Sequence, residues 1–152
     1  MGKSTIPRPG EGKRGPEGHL GYLVRQANVA IRSALDQALA GTGVTTPQFS
    51  VLTMIAAYPG VSGAELARLT FLTPQTINVI VHNLERAGTI AKSADPTHGR
   101  ILKLEATRRG HTLLKRCRAR VQAVEARLVR SLSKADKRAV RRWLASVGAT
   151  LA

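Results

Sequence analysis

Four uncharged polar side chains cluster at the start of one predicted helix: Thr73, Gln75, Thr76 and Asn78. Glutamine and asparagine can each pair a donor and an acceptor with the edge of adenine, and threonine offers its methyl group to thymine. The first turn of a helix also carries free backbone N–H groups that attract phosphate. This chemistry suits the reading of bases in duplex DNA, although the same residues could simply cap and solvate a helix end.

Two further pairs extend this candidate surface. His82 and Asn83 lie later on the same predicted helix, where they either contact the DNA backbone or only face water. His98 and Arg100 lie in the polar segment that follows the helix, and an arginine at such a tip is attracted by the negative potential of a narrow minor groove. We therefore expect DNA contacts from both the helix and the segment after it.

The segment after this helix has the pattern of a β-hairpin. The apolar period changes there from helical to two residues, with Ile90 before and Leu104 after a tip of sequence DPTHG. We expect Arg86 and Asp95 to pair and so brace the hairpin against the helix, although a surface ion pair contributes under about 1 kcal/mol. We therefore interpret the hairpin as the wing of a winged helix domain.

The helix that carries the polar residues is preceded closely by a shorter one. Ser62 opens the shorter helix with Glu65 three residues later, which is the spacing of a capping box. Thr73 can cap the second helix, with Pro74 in its first turn and Gly88 as its stop. Two helices with a three-residue connection, followed by a basic-tipped hairpin, make a helix-turn-helix with a wing.

Longer helices flank this unit on both sides. One begins at His19, and the next has Thr46 as its N-cap and Pro47 at its first position. After the hairpin, Thr107 caps a long helix with a narrow apolar seam, and Ser133 opens a final helix. The pattern predicts a mainly α fold with a small β-hairpin wing, that is, a winged helix-turn-helix plus helical dimerisation arms.

Composition narrows the class of protein. A chain of 152 residues with 43% hydrophobic residues can bury an ordinary core, and Cys117 is its only cysteine, so no internal disulfide forms. No apolar stretch approaches the roughly 20 residues that span a bilayer. These features lead us to expect a soluble protein in the reducing cytoplasm.

The net charge of +15 favours a nucleic-acid partner, but its distribution does not locate the site. Residues 107–142 hold 13 Lys or Arg against two acidic residues, whereas residues 59–106 hold five against four. Most of these arginines therefore have solvation of a helix face as their simplest explanation.

Enzymatic and metal-binding functions find little support in the sequence. No nucleophile elbow, phosphate-binding glycine loop or paired acid site is present, so we expect no catalytic residue and no cofactor. The four histidines are scattered, which leaves a zinc site only through pairing across elements. Cys117 falls on the apolar seam, where a thiol acts as a small hydrophobe.

The order of these motifs resembles the MarR (multiple antibiotic resistance regulator) family. The resemblance rests on TTPQFSVLTMIAAYPGVSGAELARLTFLTPQTINVIVHNLERAGTI followed by DPTHGRILKLEATRRG. It implies a homodimeric transcriptional regulator that presents two recognition helices to a pseudo-palindromic DNA operator. The implied organisation is a flexible basic tail at 1–18, an N-terminal dimerisation helix at 19–45, the winged domain at 46–106 and C-terminal dimerisation helices at 107–152.

The resemblance also implies repression that a small aromatic or phenolic ligand relieves, by entering a crevice between the winged domain and the dimerisation helices. Tyr22, Arg25, Phe49 and Met54 lie on elements that would border such a crevice. The simpler interpretation makes the three uncharged residues part of the core and Arg25 a surface charge. A constitutive DNA-binding protein, or a winged-helix module for protein assembly, remains the alternative function.

Overall fold

The computed structural model describes residues 5–151 and gives them six α-helices and one antiparallel β-hairpin, which confirms the predicted fold class. The hairpin pairs Ile90 with Ala106 at its base and Ala94 with Leu102 near its tip. In chain order the elements are α1 (Leu20–Leu39), α2 (Thr46–Ala57), α3 (Gly63–Thr70), α4 (Pro74–Arg86), β1 (Ile90–Ala94), β2 (Leu102–Ala106), α5 (Arg108–Leu128) and α6 (Lys134–Leu151).

The main core lies within the winged domain, between α2, α3, α4, the hairpin and the start of α5. Leu66 from α3 and Ile77 from α4 are almost completely buried there. The residues just before α3 join the sheet, because Leu104 N donates to Val61 O at 3.0 Å and Gly60 N donates to Leu104 O at 2.9 Å. The helix-turn-helix and the wing therefore share one core and one backbone hydrogen-bond network.

Side-chain caps fix where the helices begin, as the sequence predicts for four of them. Glu65 N donates to Ser62 Oγ at 3.3 Å and Ser62 N donates to Glu65 Oε2 at 2.8 Å. Thr107 Oγ1 accepts from Gly110 N at 3.1 Å at the start of α5. A residue that caps its own helix start satisfies a backbone donor that would otherwise be free.

The cap of α2 was predicted one residue too late. Thr45, not Thr46, is its N-cap, and it forms a capping box with Gln48. Thr46 is the first helical residue, and its hydroxyl donates instead to Asp36 at the end of α1. Adjacent threonines make the choice ambiguous from sequence, and the glutamine three residues after Thr45 decides it.

The end of α4 is joined tightly to the start of α5. Gly88 ends the helix with a φ of 71°, and its carbonyl accepts from Thr107 Oγ1 at 2.7 Å. At Gly110 a β-carbon would lie only 2.1 Å from Thr89 O, so only glycine fits this contact. The end of α4 is therefore in direct contact with the start of α5, the long helix of the arm.

The helical arms bury much less. Leu39, Val44 and Cys117 form a small second cluster where α1 packs on α5, and Cys117 is buried there as predicted. Helix α6 contains no buried residue, and its Trp143 and Leu144 are 40% and 49% exposed. No helix within residues 5–151 has both the length and the apolar composition needed to span a membrane.

The flexible tail predicted for 1–18 covers the N-terminal segment, of which the structure describes residues 5–18. Residues 1–4, and Ala152 of the C-terminal arm, lie outside the described residues. Residues 5–18 contain a 3-10 turn at Gly12–Arg14 and fold back on α1. Arg14 Nε donates to Gln26 Oε1 at 3.2 Å, and Gln26 Nε2 returns a bond to Arg14 O at 3.0 Å. These two bonds join the segment to α1.

Candidate nucleic-acid interface

Helix α4 has one buried face and one exposed face. Its inner residues Ile77, Ile80, Val81 and Leu84 are buried in the main core. The three-residue connection 71–73 sets the helix start outside that core, because Leu72 packs against it and Thr73 caps the helix. The six residues predicted to contact DNA from this helix are all exposed, namely Thr73, Gln75, Thr76, Asn78, His82 and Asn83.

At the start of α4 some side chains form hydrogen bonds within the helix and others form none. Thr73 Oγ1 accepts from Thr76 N at 3.2 Å and lies 2.9 Å from Thr76 Oγ1, so these hydroxyls stabilise the first turn. Within residues 5–151, no hydrogen bond engages the side chains of Gln75 and Asn78. The two amides therefore keep their full donor and acceptor capacity for a ligand.

Two exposed apolar residues, one on α4 and one just before it, were missed by sequence reasoning. Val79 is 61% exposed and lies four residues after Gln75, on the same helix face. A projection of α4 at 100° per residue would have found it. Phe71, in the connection before α4, is 95% exposed. No local pattern indicates its exposure, because it depends on the backbone conformation of the turn.

The wing tip is held by a carboxylate. Asp95 Oδ1 accepts from Thr97 N at 2.7 Å and from His98 N at 2.9 Å. The backbone N–H of His98, then that of Thr97 and the Lys103 side chain, lower the pKa of Asp95. The tip itself leaves His98 and Arg100 exposed, as a groove contact would require.

The predicted brace between Arg86 and Asp95 is wrong. Asp95 instead pairs with Lys103 on the opposite strand, at 3.2 Å. The ion pair that links α4 to the hairpin joins Glu85 to Lys92, at 2.7 Å. Antiparallel register brings Lys103 beside the start of the tip, whereas Arg86 occupies the exposed side of the last turn of α4. Proximity along the strands therefore determines the partner of Asp95.

The four residues predicted for a ligand crevice have different surroundings. Phe49 packs between the main core and the second cluster, while Met54 packs only against the main core. Tyr22 lines a cavity of about 300 Å³ beside the N-terminal segment, with Lys13 and His19. Arg25 is exposed on α1. The structure therefore assigns them to the core and to two different surfaces.

A larger cavity of about 690 Å³ opens at the junction of the winged domain and α5. Its polar rim contains three arginines, and no acidic residue lines it. Within residues 5–151 no salt bridge neutralises these arginines. The lining comprises Thr42, Gly43, Val44, Ala87, Thr89, Arg108, Arg109, Thr112, Leu113 and Arg116. An anion with an apolar body matches this combination of charge and surface.

The histidines do not assemble with other potential ligands. Across the described residues, no group of three or more His, Cys, Asp or Glu side chains is placed to hold a metal ion.

Comparisons with known proteins agree with this geometry. Residues 42–101 match the model of the MarR family. The HTH-type transcriptional repressor Rv2887 of Mycobacterium tuberculosis is 39% identical over 129 residues, which cover 85% of this chain and 93% of the repressor. A crystal structure of Rv2887 in complex with DNA superposes with a TM-score of 0.70 at 36% identity, covering 87% of this chain and 99% of that one. Its complex with p-aminosalicylic acid gives 0.71 at 37% identity, with coverage of 86% and 99%.

Proposed function

The chain belongs to the MarR family of winged helix-turn-helix regulators, and we propose that it is a transcriptional repressor that reads its operator through the exposed face of α4. The residues assigned to base contacts are Gln75 and Asn78, with Thr73 and Thr76 at the phosphates. His82 and Asn83 are assigned to the backbone, and His98 and Arg100 of the wing to the minor groove.

One observation carries this proposal. A capped helix start displays two unengaged amides on a face that is otherwise free, and a wing with an exposed arginine follows on the same core. Adenine offers the donor and acceptor pair that such an amide satisfies. Because residues 59–106 are nearly neutral overall, base recognition here depends on polar geometry more than on charge.

The proposal includes a homodimer. MarR regulators are dimeric, and the apolar faces of α1 and α6 in this chain remain exposed in a single protomer. A two-fold dimer presents two copies of α4 to half-sites about 10 to 10.5 base pairs apart on one side of the duplex. We therefore expect a footprint over a pseudo-palindrome.

Selection of bound genomic fragments from a fragmented pool tests the proposal. The protein should enrich pseudo-palindromic fragments strongly over random duplex, and no enrichment would contradict it. Gln75→Ala should reduce discrimination between operator and random DNA, since a paired contact contributes about 1–3 kcal/mol. Arg100→Ala should weaken binding to both, because its contact depends on groove shape and charge. Gln122→Ala, on the exposed surface of α5, is the matched control.

We further propose that a small aromatic acid releases the repressor from DNA. Two locations are candidates, the crevice bordered by Tyr22, Arg25, Phe49 and Met54, and the arginine-lined cavity at the start of α5. The second is favoured by its three unneutralised arginines and by its contact with Ala87 and Thr89 at the exit of α4. A ligand there would act on the junction that couples the recognition helix to the arm.

Thermal-shift titration with salicylate and p-aminosalicylate, followed by competition with operator DNA, tests this second proposal. Arg116→Ala should weaken ligand binding about tenfold or more if the cavity is the site, since a charged hydrogen bond contributes roughly 1.5–3 kcal/mol. Arg25→Ala should do so if the crevice is the site. If neither these two acids nor a wider panel of aryl and phenolic acids binds and releases DNA, the proposed release fails and the alternative of a constitutive regulator is favoured.

The proposed function also implies where the protein acts and whether it is an enzyme. A regulator of transcription acts where the DNA is, so we assign the protein to the cytoplasm. We assign it no enzymatic activity and no cofactor.

A further inference from the structure

Phe71 has an unusual combination of conformation and exposure. It is the only non-glycine residue with a positive φ in the part of the chain that the structure describes, at φ 58° and ψ 30°. It is also the most exposed of the large apolar side chains there, at 95%. Each feature alone is unfavourable in a folded protein, because the left-handed region strains side chains and exposed phenyl surface orders water.

The turn itself does not require phenylalanine. Phe71 ends α3 with its N–H bonded to Ala67 O, and Leu72 N bonds the same carbonyl at 3.2 Å. Helix ends of this kind usually carry glycine at the left-handed position. The neighbouring Leu72 supplies the contact with the core, so the Phe71 side chain adds nothing to packing. Strain that folding does not require indicates a role in binding.

The position of Phe71 points to the binding partner. It lies two residues before the cap Thr73 and four before Gln75, at the end of α4 that is assigned to base reading. Val79, 61% exposed, lies four residues after Gln75, about one turn further along α4. An apolar residue on each side of an amide matches the major-groove edge of an A·T-rich step, where thymine presents a C5-methyl group.

We propose that Phe71, together with Val79, contacts thymine C5-methyl groups in the operator next to the base read by Gln75. This inference rests on the proposed function and extends it, since it identifies a contact that determines specificity. Phe71 directly precedes the first turn of α4, and residues 71–79 contain no charged side chain that would favour an acidic or basic protein partner. Van der Waals contact and release of ordered water would provide the affinity.

Replacement by glycine separates the two possible roles of Phe71. Phe71→Gly relieves the strained φ and removes the exposed ring, so its melting temperature should equal or exceed that of the natural chain. Operator affinity should nevertheless fall roughly tenfold, because the buried phenyl contact is lost. Phe71→Asn, which also tolerates this conformation, should behave similarly. Tyr58→Ala removes an exposed aromatic residue at another surface and should leave affinity unchanged.

A chemical change in the DNA completes the test. Deoxyuridine in place of a half-site thymidine removes only the C5-methyl group, and at one position it should weaken binding of the natural chain about fourfold. At the thymidine that Phe71 contacts, the same replacement should have no effect on Phe71→Gly. In the double variant with Val79→Ala it should have no effect at the thymidine that Val79 contacts either. Such coupling between one side chain and one methyl group identifies the contact directly.

Three outcomes distinguish the hypotheses. If the natural chain prefers no operator, the proposed function fails. If it binds its operator but Phe71→Gly binds equally well and deoxyuridine has no effect at any position, the thymine contact is wrong. If Phe71→Gly loses affinity together with stability, Phe71 has a structural role and the inference is also wrong.

Discussion

The winged domain and the helical arms differ in how far they bury their own apolar residues. Twelve buried residues form one cluster around α3 and α4, whereas the second cluster, between α1 and α5, contains three. Helix α6 buries none, although Trp143 and Leu144 lie on its apolar stripe. A helix with an uncovered apolar stripe needs another surface to bury it. The first region therefore has a complete core, and the second requires a partner.

The winged domain buries more apolar residues than the arms, but the arms carry more of the positive charge. Most of the excess of Lys and Arg lies in residues 107–142, whereas the surface that carries the unengaged amides is nearly neutral. Counterion release from basic residues raises affinity for any DNA sequence, while base-edge contacts provide specificity. The proposed site of base reading therefore lies outside the region that carries most of the net charge.

The largest effect is expected from breaking the complete core. Leu66→Ala should lower the free energy of unfolding by about 2–5 kcal/mol, because it removes a fully buried side chain and leaves a cavity. Leu69→Ala on the same helix, at a position 36% exposed, is the control and should cost much less. Urea denaturation of both variants measures the difference, and equal losses would contradict a core confined to the inner face of α3.

The next effect in size is expected in the arms, and it concerns self-association of the protein. Trp143→Ala should weaken self-association by about 2 kcal/mol, as truncation of an interface tryptophan commonly does. Sedimentation equilibrium should then show a protomer population that falls as concentration rises. Arg141→Gln, exposed on the same helix, should leave association unchanged. A Trp143→Ala variant that associates normally would remove α6 from the interface.

Sequence reasoning succeeded where a local rule determines the structure. The caps Ser62, Thr73 and Thr107 bond to backbone groups within three residues, so helix starts were predictable from short spacings. The exposed face of α4 followed from the same periodicity. The partner of Asp95 was not predictable, because it depends on strand register and on which nearby cation the hairpin brings closest. The left-handed backbone at Phe71 likewise follows from how two helices pack.

Each region has a helix cap whose removal should lower the free energy of unfolding by about 1 kcal/mol. Thr73 caps α4 in the winged domain, and Ser133 accepts from Asp136 N at 3.1 Å in the arm. Replacement of either by alanine should destabilise the protein by about 1 kcal/mol. Only Thr73→Ala should also weaken operator binding, and Thr73→Ser should restore it. Binding that survives Thr73→Ala at full strength would exclude this hydroxyl from the DNA contact.

The smallest effect expected is a loss of stability at low pH, to which one carboxylate in each region contributes. The backbone N–H of His98 holds the pKa of Asp95 below its ordinary value, and the Ser133 hydroxyl does the same for the pKa of Asp136. Because each pKa is lower in the folded state, the contribution to stability is present above the ordinary carboxyl pKa of about 4 and is lost as pH falls through the folded value. Asp136 is exposed and Asp95, at 16% side-chain exposure, lies at the surface beside Lys103, so the global loss should be slight.

Amide chemical shifts followed by NMR across this pH range should report the two groups locally. The amides of His98 and Thr97 should shift with the titration of Asp95, and that of Ser133 with the titration of Asp136. Asp95→Asn should abolish the first response and leave the second intact. Each carboxylate accepts one or more hydrogen bonds from nearby backbone N–H groups. Equal titration midpoints for Asp95 and Asp136 would mean that the winged domain and the arms differ in apolar burial and net charge but not in this local chemistry. A clearly lower midpoint for Asp95 would mean that the wing tip is held more firmly than the start of α6, and that Lys103 contributes to the difference.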